Sequence, residues 1–220
     1  MAAAKSIKFD LINNAKDSLR RAVAVLAWRD IESTDARFKQ AILNVAHCAE
    51  LLLKERLRQV NPAFVWEDID KYPGLSARTV TVDKAISRLE NIAKVSLAEK
   101  DKKALSACRQ TRNAIEHHEF EITEKEAKVI LGNVLSFIFF FAKTELKSDF
   151  EEDFKSDDTW RSLLDEFYEF ARAHGERIAA VLAARDVPLT TCSECEQYTV
   201  DIRGGACELC GHWYDPDDEG

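Results

Sequence analysis

A chain of 220 residues allows one sizeable core plus a small appendage, and 46% hydrophobic with 32% charged residues excludes an intrinsically unfolded chain. Seven glycines and four prolines are too few for a many-turned β-protein, so a mostly helical chain is expected. The net charge of −8 is uneven: residues 187–220 hold eight carboxylates and one arginine, so the remaining body is near neutral and is not a broadly basic nucleic-acid surface.

The first helix is expected over residues 7–30, where Leu11, Ala15, Leu19, Ala22, Val23 and Leu26 recur at helical spacing. A second is expected over residues 35–60, with Asn61-Pro62 as its stop and a loop over residues 61–79. A third is expected over residues 82–93. Ser96-Leu-Ala-Glu99 has the capping-box pattern and predicts the start of a fourth, running to His117. Thr123-Glu-Lys-Glu126 repeats the pattern and predicts a fifth helix to Leu146. Its apolar stretch, residues 129–142, is too short to span a bilayer and reads as a buried helix. The sixth helix is expected from Asp157 or Asp158 to Arg185, and Asp186-Val-Pro188 reads as a hinge. These elements predict an all-α antiparallel bundle over residues 1–186. No secretory signal is visible, so a cytoplasmic protein with no membrane partner is expected.

Two of the six cysteines, Cys48 and Cys108, sit alone in helical patterns and read as small buried hydrophobes. The other four form two CxxC pairs, Cys192/Cys195 and Cys207/Cys210, separated by eleven residues. Two such pairs close a tetrahedral site of four thiolates, which predicts a structural Zn2+ ribbon over residues 187–220. Gly211 suits a sharp knuckle, and Gly204-Gly205 suits a turn after a strand near residues 197–202. A closed four-thiolate site leaves no open position for a reacting water. So small a segment also draws its folding energy from the metal. With a single arginine the ribbon is ill suited to a phosphate backbone and better suited to a protein partner or to the chain's own body.

A polar cluster marks the fourth helix: Arg109, Arg112, Asn113, Glu116, His117, His118 and Glu119. With Leu105 and Cys108 central to the apolar face, Arg112 falls on that face. It then needs a carboxylate, and two candidates arise: Glu50 on the second helix, or Glu116 at i, i+4. Asn113 and His117 are four residues apart on an adjacent face. Arg112 and His117 are five apart, about 140° around an ideal helix, so they meet on one group only through a bend or across two copies.

Arg112-Asn113-Ala-Ile-Glu-His117 resembles the RN-x3-H form of the R-x4-6-H motif of HEPN-domain proteins. The run from Ala46 to Lys54, with Glu50 before three leucines, is similar to the helix that precedes that motif. Thr79-Val-Thr-Val82 is similar to the family's lead into the next helix. The resemblance spans residues 8–145. It implies a HEPN-like bundle that forms a homodimer, with the motifs of two copies meeting in one cleft. It also implies metal-independent endoribonuclease activity in a toxin or phage-defence setting, with RNA as partner and 2′,3′-cyclic phosphate products. Carried over, Arg112 holds the scissile phosphate, His117 moves the proton (His118 is the understudy), Asn113 orients, and Glu50 positions Arg112. The alternative is a catalytically silent HEPN protein that binds nucleotide or RNA, or docks a protein partner or antitoxin through the acidic ribbon. Glu119 stands where members controlled by nucleotide addition carry tyrosine, so that form of control is not expected. Lys102, Lys103, Arg109 and Arg112 are the cations available for a local basic groove.

Overall fold

The structure, a computed structural model, describes residues 9–28, 34–155 and 158–215. The expectations for Ile7, Asp30, Asp157, Asp217, Asp218 and Glu219 lie outside the described residues. The chain is mostly helical: α1 Leu11–Ala27, α2 Thr34–Val60, α3 Val82–Arg88, α4 Glu99–His117, α5 Glu124–Glu145, α6 Glu152–Lys155, α7 Thr159–Glu166 and α8 Tyr168–Ala183. Four two-residue strands follow: β1 Leu189–Thr190, β2 Val200–Asp201, β3 Gly205–Ala206 and β4 Trp213–Tyr214.

Local chemistry sets most of the boundaries. The Asp10 carboxylate accepts from the Asn13 N–H and starts α1. Thr81 does the same for α3, and Thr123 with Glu126 forms the reciprocal box that opens α5. The box expected at Ser96 does not form. Helix α4 starts at Glu99 behind Ala98, with no side-chain cap. Val95 and Leu97 are buried, which holds this stretch in the core and out of a cap, and Glu99 pairs with Lys102 instead. The third helix ends in a π-turn, Leu89–Ala93, closed by Lys94 in the left-handed region.

The expected sixth helix is two. It breaks at Phe167, whose φ of −127° and ψ of 71° leave the helical region. The apolar spacing runs straight through the break: Trp160, Leu163, Leu164, Phe167, Phe170 and Ala171 are all buried. Periodicity therefore carries no sign of it. The bend seats the Phe167 ring 6.4 Å from Phe38 of α2 and turns α8 onto α5.

Helices α1 and α2 run antiparallel. The Arg37 guanidinium donates to Val25 O and Leu26 O at one end, and Ser18 meets His47 further along. Helix α2 packs on α4 and α5, and α5 on α8. At the α5–α8 crossing a Cβ on Gly132 would lie 2.7 Å from backbone atoms of Glu169 and Phe170, so only glycine permits that approach. Among the described helices α5 alone is long and apolar enough to cross a membrane. Its most apolar window is 61% buried inside the fold, as expected of a core helix.

Below that crossing the Phe139 ring meets Phe154, Trp160 and Phe170 at centroid distances of 5.2–6.0 Å. His174, 2% exposed, stacks on Phe170 and bonds Glu151 Oε1 through Nε2 at 3.0 Å. Burial alone would raise the Glu151 carboxyl. The hydrogen bond and charge of His174, then of Lys155, outweigh it and hold it at about 2 against an ordinary 4.5. A carboxyl depressed on folding contributes stability that is complete above pH 4.5 and lost as pH falls toward 2. The wild type is therefore expected to lose on the order of 3 kcal/mol more than Glu151→Gln across that window. Urea midpoints of the two proteins from pH 6 to pH 3 should converge; parallel curves would remove Glu151 as an acid-sensitive group.

The C-terminal segment is seated on this body. The Trp160 indole N–H donates to Leu209 O at 2.7 Å, and Gln197 lies against Gly175 of α8. Arg161 of α7 pairs with Glu194. Cys192, Val200, Cys207 and Leu209 belong to the same continuous core as the helices. The linking residues are tied as well: Val187 N–H donates to Leu182 O, and Ile202 N–H to Pro188 O.

Candidate functional site

The four clustered cysteines occupy two matching knuckles. Strand β1 pairs with β2 and β3 with β4, both antiparallel, which brings the CxxC turns together. Glu196 N–H donates to Cys192 O, and Gly211 N–H to Cys207 O. Each of these residues follows the second cysteine of its pair and has a positive φ, 57° for Glu196 and 78° for Gly211. The glycine accepts that conformation freely; the glutamate holds it at a cost of about 1 kcal/mol.

All four sulfurs lie within 4.8 Å of one another, with Cys192–Cys210 at 3.6 Å and Cys195–Cys207 at 3.7 Å. A metal held by four thiolates at ~2.3 Å separates its sulfurs by roughly 3.8 Å, so the donor set fits a metal ion. The thiolates are also supported from outside. Cys210 N–H and His212 N–H point at Cys207 Sγ and Cys210 Sγ, both at 3.5 Å, and the Thr199 hydroxyl lies 3.1 Å from Cys207 Sγ. The neighbouring Cys195 and Cys210 sulfurs, with the Cys210 N–H and the Thr199 hydroxyl, hold the Cys207 thiol far below its ordinary range. By contrast Cys48 and Cys108 are fully buried in helices. Burial pushes the Cys108 thiol up to about 12 and raises Cys48 as well, so both stay protonated and inert.

The second candidate is a cavity of about 320 Å³ between α2 and α4. Glu50 and His47 line it from α2; Arg109, Arg112 and Glu116 line it from α4. Successive turns put Gln40, Asn44, His47 and Glu50 on one stripe of α2. Glu50 Oε1 is bonded to the buried Lys54 Nζ, which also donates to Thr79 Oγ1 at 2.8 Å. The three segments that carried the family resemblance therefore meet around this cavity.

Arg112 pairs with Glu116, Nε to Oε2 at 2.8 Å, and not with Glu50, which accepts from Lys54. Its side chain keeps 40% exposure, so it opens on the cavity and is not sunk in the core. The i, i+4 spacing supplies a partner one turn away on the same helix, and Glu50 is occupied on its own helix. Asn113 and His117 are exposed and do not line this cavity. The His117 ring sits 6.5 Å from that of His118, and His118 lines a separate cavity of about 750 Å³ with Ile115 and Phe120. Within one chain, then, Arg112 and Glu50 share a cavity while Asn113 and His117 stand outside it.

Arg109, which lines the cavity, and Lys102, which lies outside it on α4, are both engaged. Arg109 bonds Asp83, and Lys102 bonds Glu90 at 2.6 Å and Glu99 at 2.9 Å. Sequence reading named Arg109 as a cation for a basic groove and missed His47 as a cavity residue. The α2 stripe through residues 40, 44 and 47 was the available signal, but it is polar and sits beside the apolar stripe that defined the helix. No family model, curated protein or solved structure matches the chain.

Proposed function

We propose that this chain is a metal-independent endoribonuclease whose site is completed by a second copy of itself. The observation that carries the reading is the guanidinium of Arg112 opening on a cavity of about 320 Å³ lined also by a second arginine, an imidazole and two carboxylates. RNA brings its own nucleophile, the 2′-hydroxyl, so the protein needs only to hold the phosphate, stabilise its developing charge and move protons. Arg112 suits the first two tasks, by displacing its bond to Glu116 onto a phosphate oxygen. His117, exposed at the end of α4, is free to reach the cavity of a second copy. Asn113 lies one turn before it and orients that arm. Glu50 and Lys54 brace the wall opposite Arg112. The HEPN resemblance supports the same assignment and places the activity among toxins and defence effectors.

The four cysteines, in this reading, bind Zn2+ as a structural ion. The ribbon they form is joined to α7 and α8 and stands apart from the cleavage chemistry.

A second reading is favoured by one observation: Arg109, Arg112 and Lys102 are each already paired with a carboxylate. A surface so neutralised attracts a polyanion weakly, and it suits a silent HEPN protein that docks a protein partner.

Purified protein incubated with mixed RNAs, with and without brief EDTA treatment, separates the two. Cleavage is expected to survive EDTA and to leave 2′,3′-cyclic phosphate ends. Arg112→Ala is expected to lower the rate by about 10²- to 10³-fold, the cost of losing a charge-stabilising donor. His117→Ala should fall by a comparable factor. Cleavage indifferent to both substitutions would leave the adaptor reading in its place.

A further inference from the structure

Within one chain the nuclease reading leaves a chemical gap. Transesterification moves two protons: one leaves the 2′-hydroxyl as its oxygen attacks phosphorus, and one reaches the 5′-oxygen as the P–O5′ bond breaks. His117 supplies one proton-transfer group, and in a single chain it stands outside the Arg112 cavity. The imidazole that lines this cavity is His47, which also remains exposed to solvent.

His47 is built to be held still. It sits in the middle of the 27-residue α2, away from either frayed end. Its Nδ1 lies 2.9 Å from the Oγ of Ser18, and Ser18 is buried in α1. One ring nitrogen is thus fixed from the core side, and Nε2 is the ring nitrogen left to meet a ligand. When Nδ1–H donates to Ser18 Oγ, Nε2 carries the lone pair that a base requires. The charged or titratable groups lining the same cavity are Glu50 from α2 and Cys108, Arg109, Arg112 and Glu116 from α4. Helix α1 contributes the neutral hydroxyl of Ser18.

Resting on the nuclease reading, we propose that His47 is a proton-transfer residue of the same site, acting within one chain beside Arg112. Its Nε2 takes the 2′-hydroxyl proton as the 2′-oxygen bonds to phosphorus. The exposed His117 of a second copy gives a proton to O5′ as that bond breaks. The cyclic phosphate and the 5′-hydroxyl leave, and the two imidazoles have exchanged protonation states. Ser18 is a positioning residue, since it acts on the ring and not on the substrate.

The test uses the full-length protein with an RNA oligonucleotide and the variants His47→Asn, Ser18→Ala and Arg112→Ala. Asparagine places its amide nitrogen near the position of Nδ1, so it retains the bond to Ser18 and keeps the fold while removing Nε2. His47→Asn is expected to lower kcat about 10²- to 10⁴-fold, the range for a lost general base, with little change in KM. It should also flatten the acidic limb of the pH profile. Ser18→Ala should lower kcat several-fold and displace that limb, and a merely structural role would leave the limb in place. Independently of activity, inorganic phosphate should shift the His47 imidazole resonance in the wild type and not in Arg112→Ala. A His47→Asn protein with wild-type rate and pH profile, beside a dead Arg112→Ala, would overturn the His47 assignment alone. Absence of Arg112-dependent cleavage in the wild type would remove the nuclease reading and this assignment together.

Discussion

Stripping the metal from the cysteine cluster is expected to unfold residues 189–215 and to loosen α7 and α8, while α1 to α5 stay folded. The four strands are two residues each and share few hydrogen bonds, so their pairing alone stabilises little. Metal binding to such small sites supplies on the order of 10 kcal/mol, and it is lost with the ion. Four thiolates left within 4.8 Å of one another would then repel or take up protons. Trp160 reports the event directly. Its indole is buried and bonded to Leu209 O, so metal loss frees that bond and opens the ring to water. A red shift of tryptophan emission on chelation, absent in Trp160→Phe, is the expected signature. Cys192→Ser should behave as the stripped protein does. A chelated protein with unchanged emission and unchanged protease resistance of residues 189–215 would mean that the segment folds without metal.

Asp101→Ala is expected to be the most damaging single change in the helical body. Asp101 and Arg177 form a two-point pair with side-chain exposures of 9% and 8%. Arg177 Nε donates to Ser136 Oγ at 2.7 Å, and the guanidinium lies over the Phe140 ring. The pair joins α4 to α8 through α5. Removing the carboxylate strands a guanidinium in the core, which costs about 3–5 kcal/mol. Asp101→Leu combined with Arg177→Met removes both charges and should recover most of that loss. The exposed pair Arg172–Glu176 on α8 is the internal control, and Arg172→Ala should cost less than about 1 kcal/mol. Urea denaturation of the four proteins checks the ordering. A double variant no more stable than Asp101→Ala would show that packing, not charge, governs the site.

Local signals were legible where a partner lies within a few residues. Thr123 and Glu126 announce their helix because the box closes over three positions. The CxxC pairs announce a metal site because each knuckle fixes two sulfurs by itself. Ser96 shows the limit: the same pattern fails when the residues beside it, Val95 and Leu97, are drawn into the core. The break at Phe167 was invisible because a bend that keeps every apolar residue buried leaves the periodicity intact. Contacts over long separations left no mark. Arg177 meets Asp101 across 76 positions and Glu151 meets His174 across 23, so nothing in either neighbourhood names its partner.

At the candidate site the residue types were readable and the pairing was not. Arg112 and Glu50 line one cavity without pairing. Which carboxylate holds Arg112 turned on distance along a helix against distance between helices, and the shorter path through Glu116 prevails in the free chain. His47 was passed over because the apolar stripe of α2 dominates its pattern, and a histidine beside that stripe looks like ordinary helix surface.

The order of the chain gives the α5–α8 crossing a further meaning. Helix α5, with the apolar length of a membrane segment, is synthesised before α8, the helix that covers it through Gly132. A nascent chain can cover α5 with α2 and α4, but the face that α8 buries stays bare until residue 183 has been added. The interval between those two moments on the ribosome is when this protein most needs a chaperone.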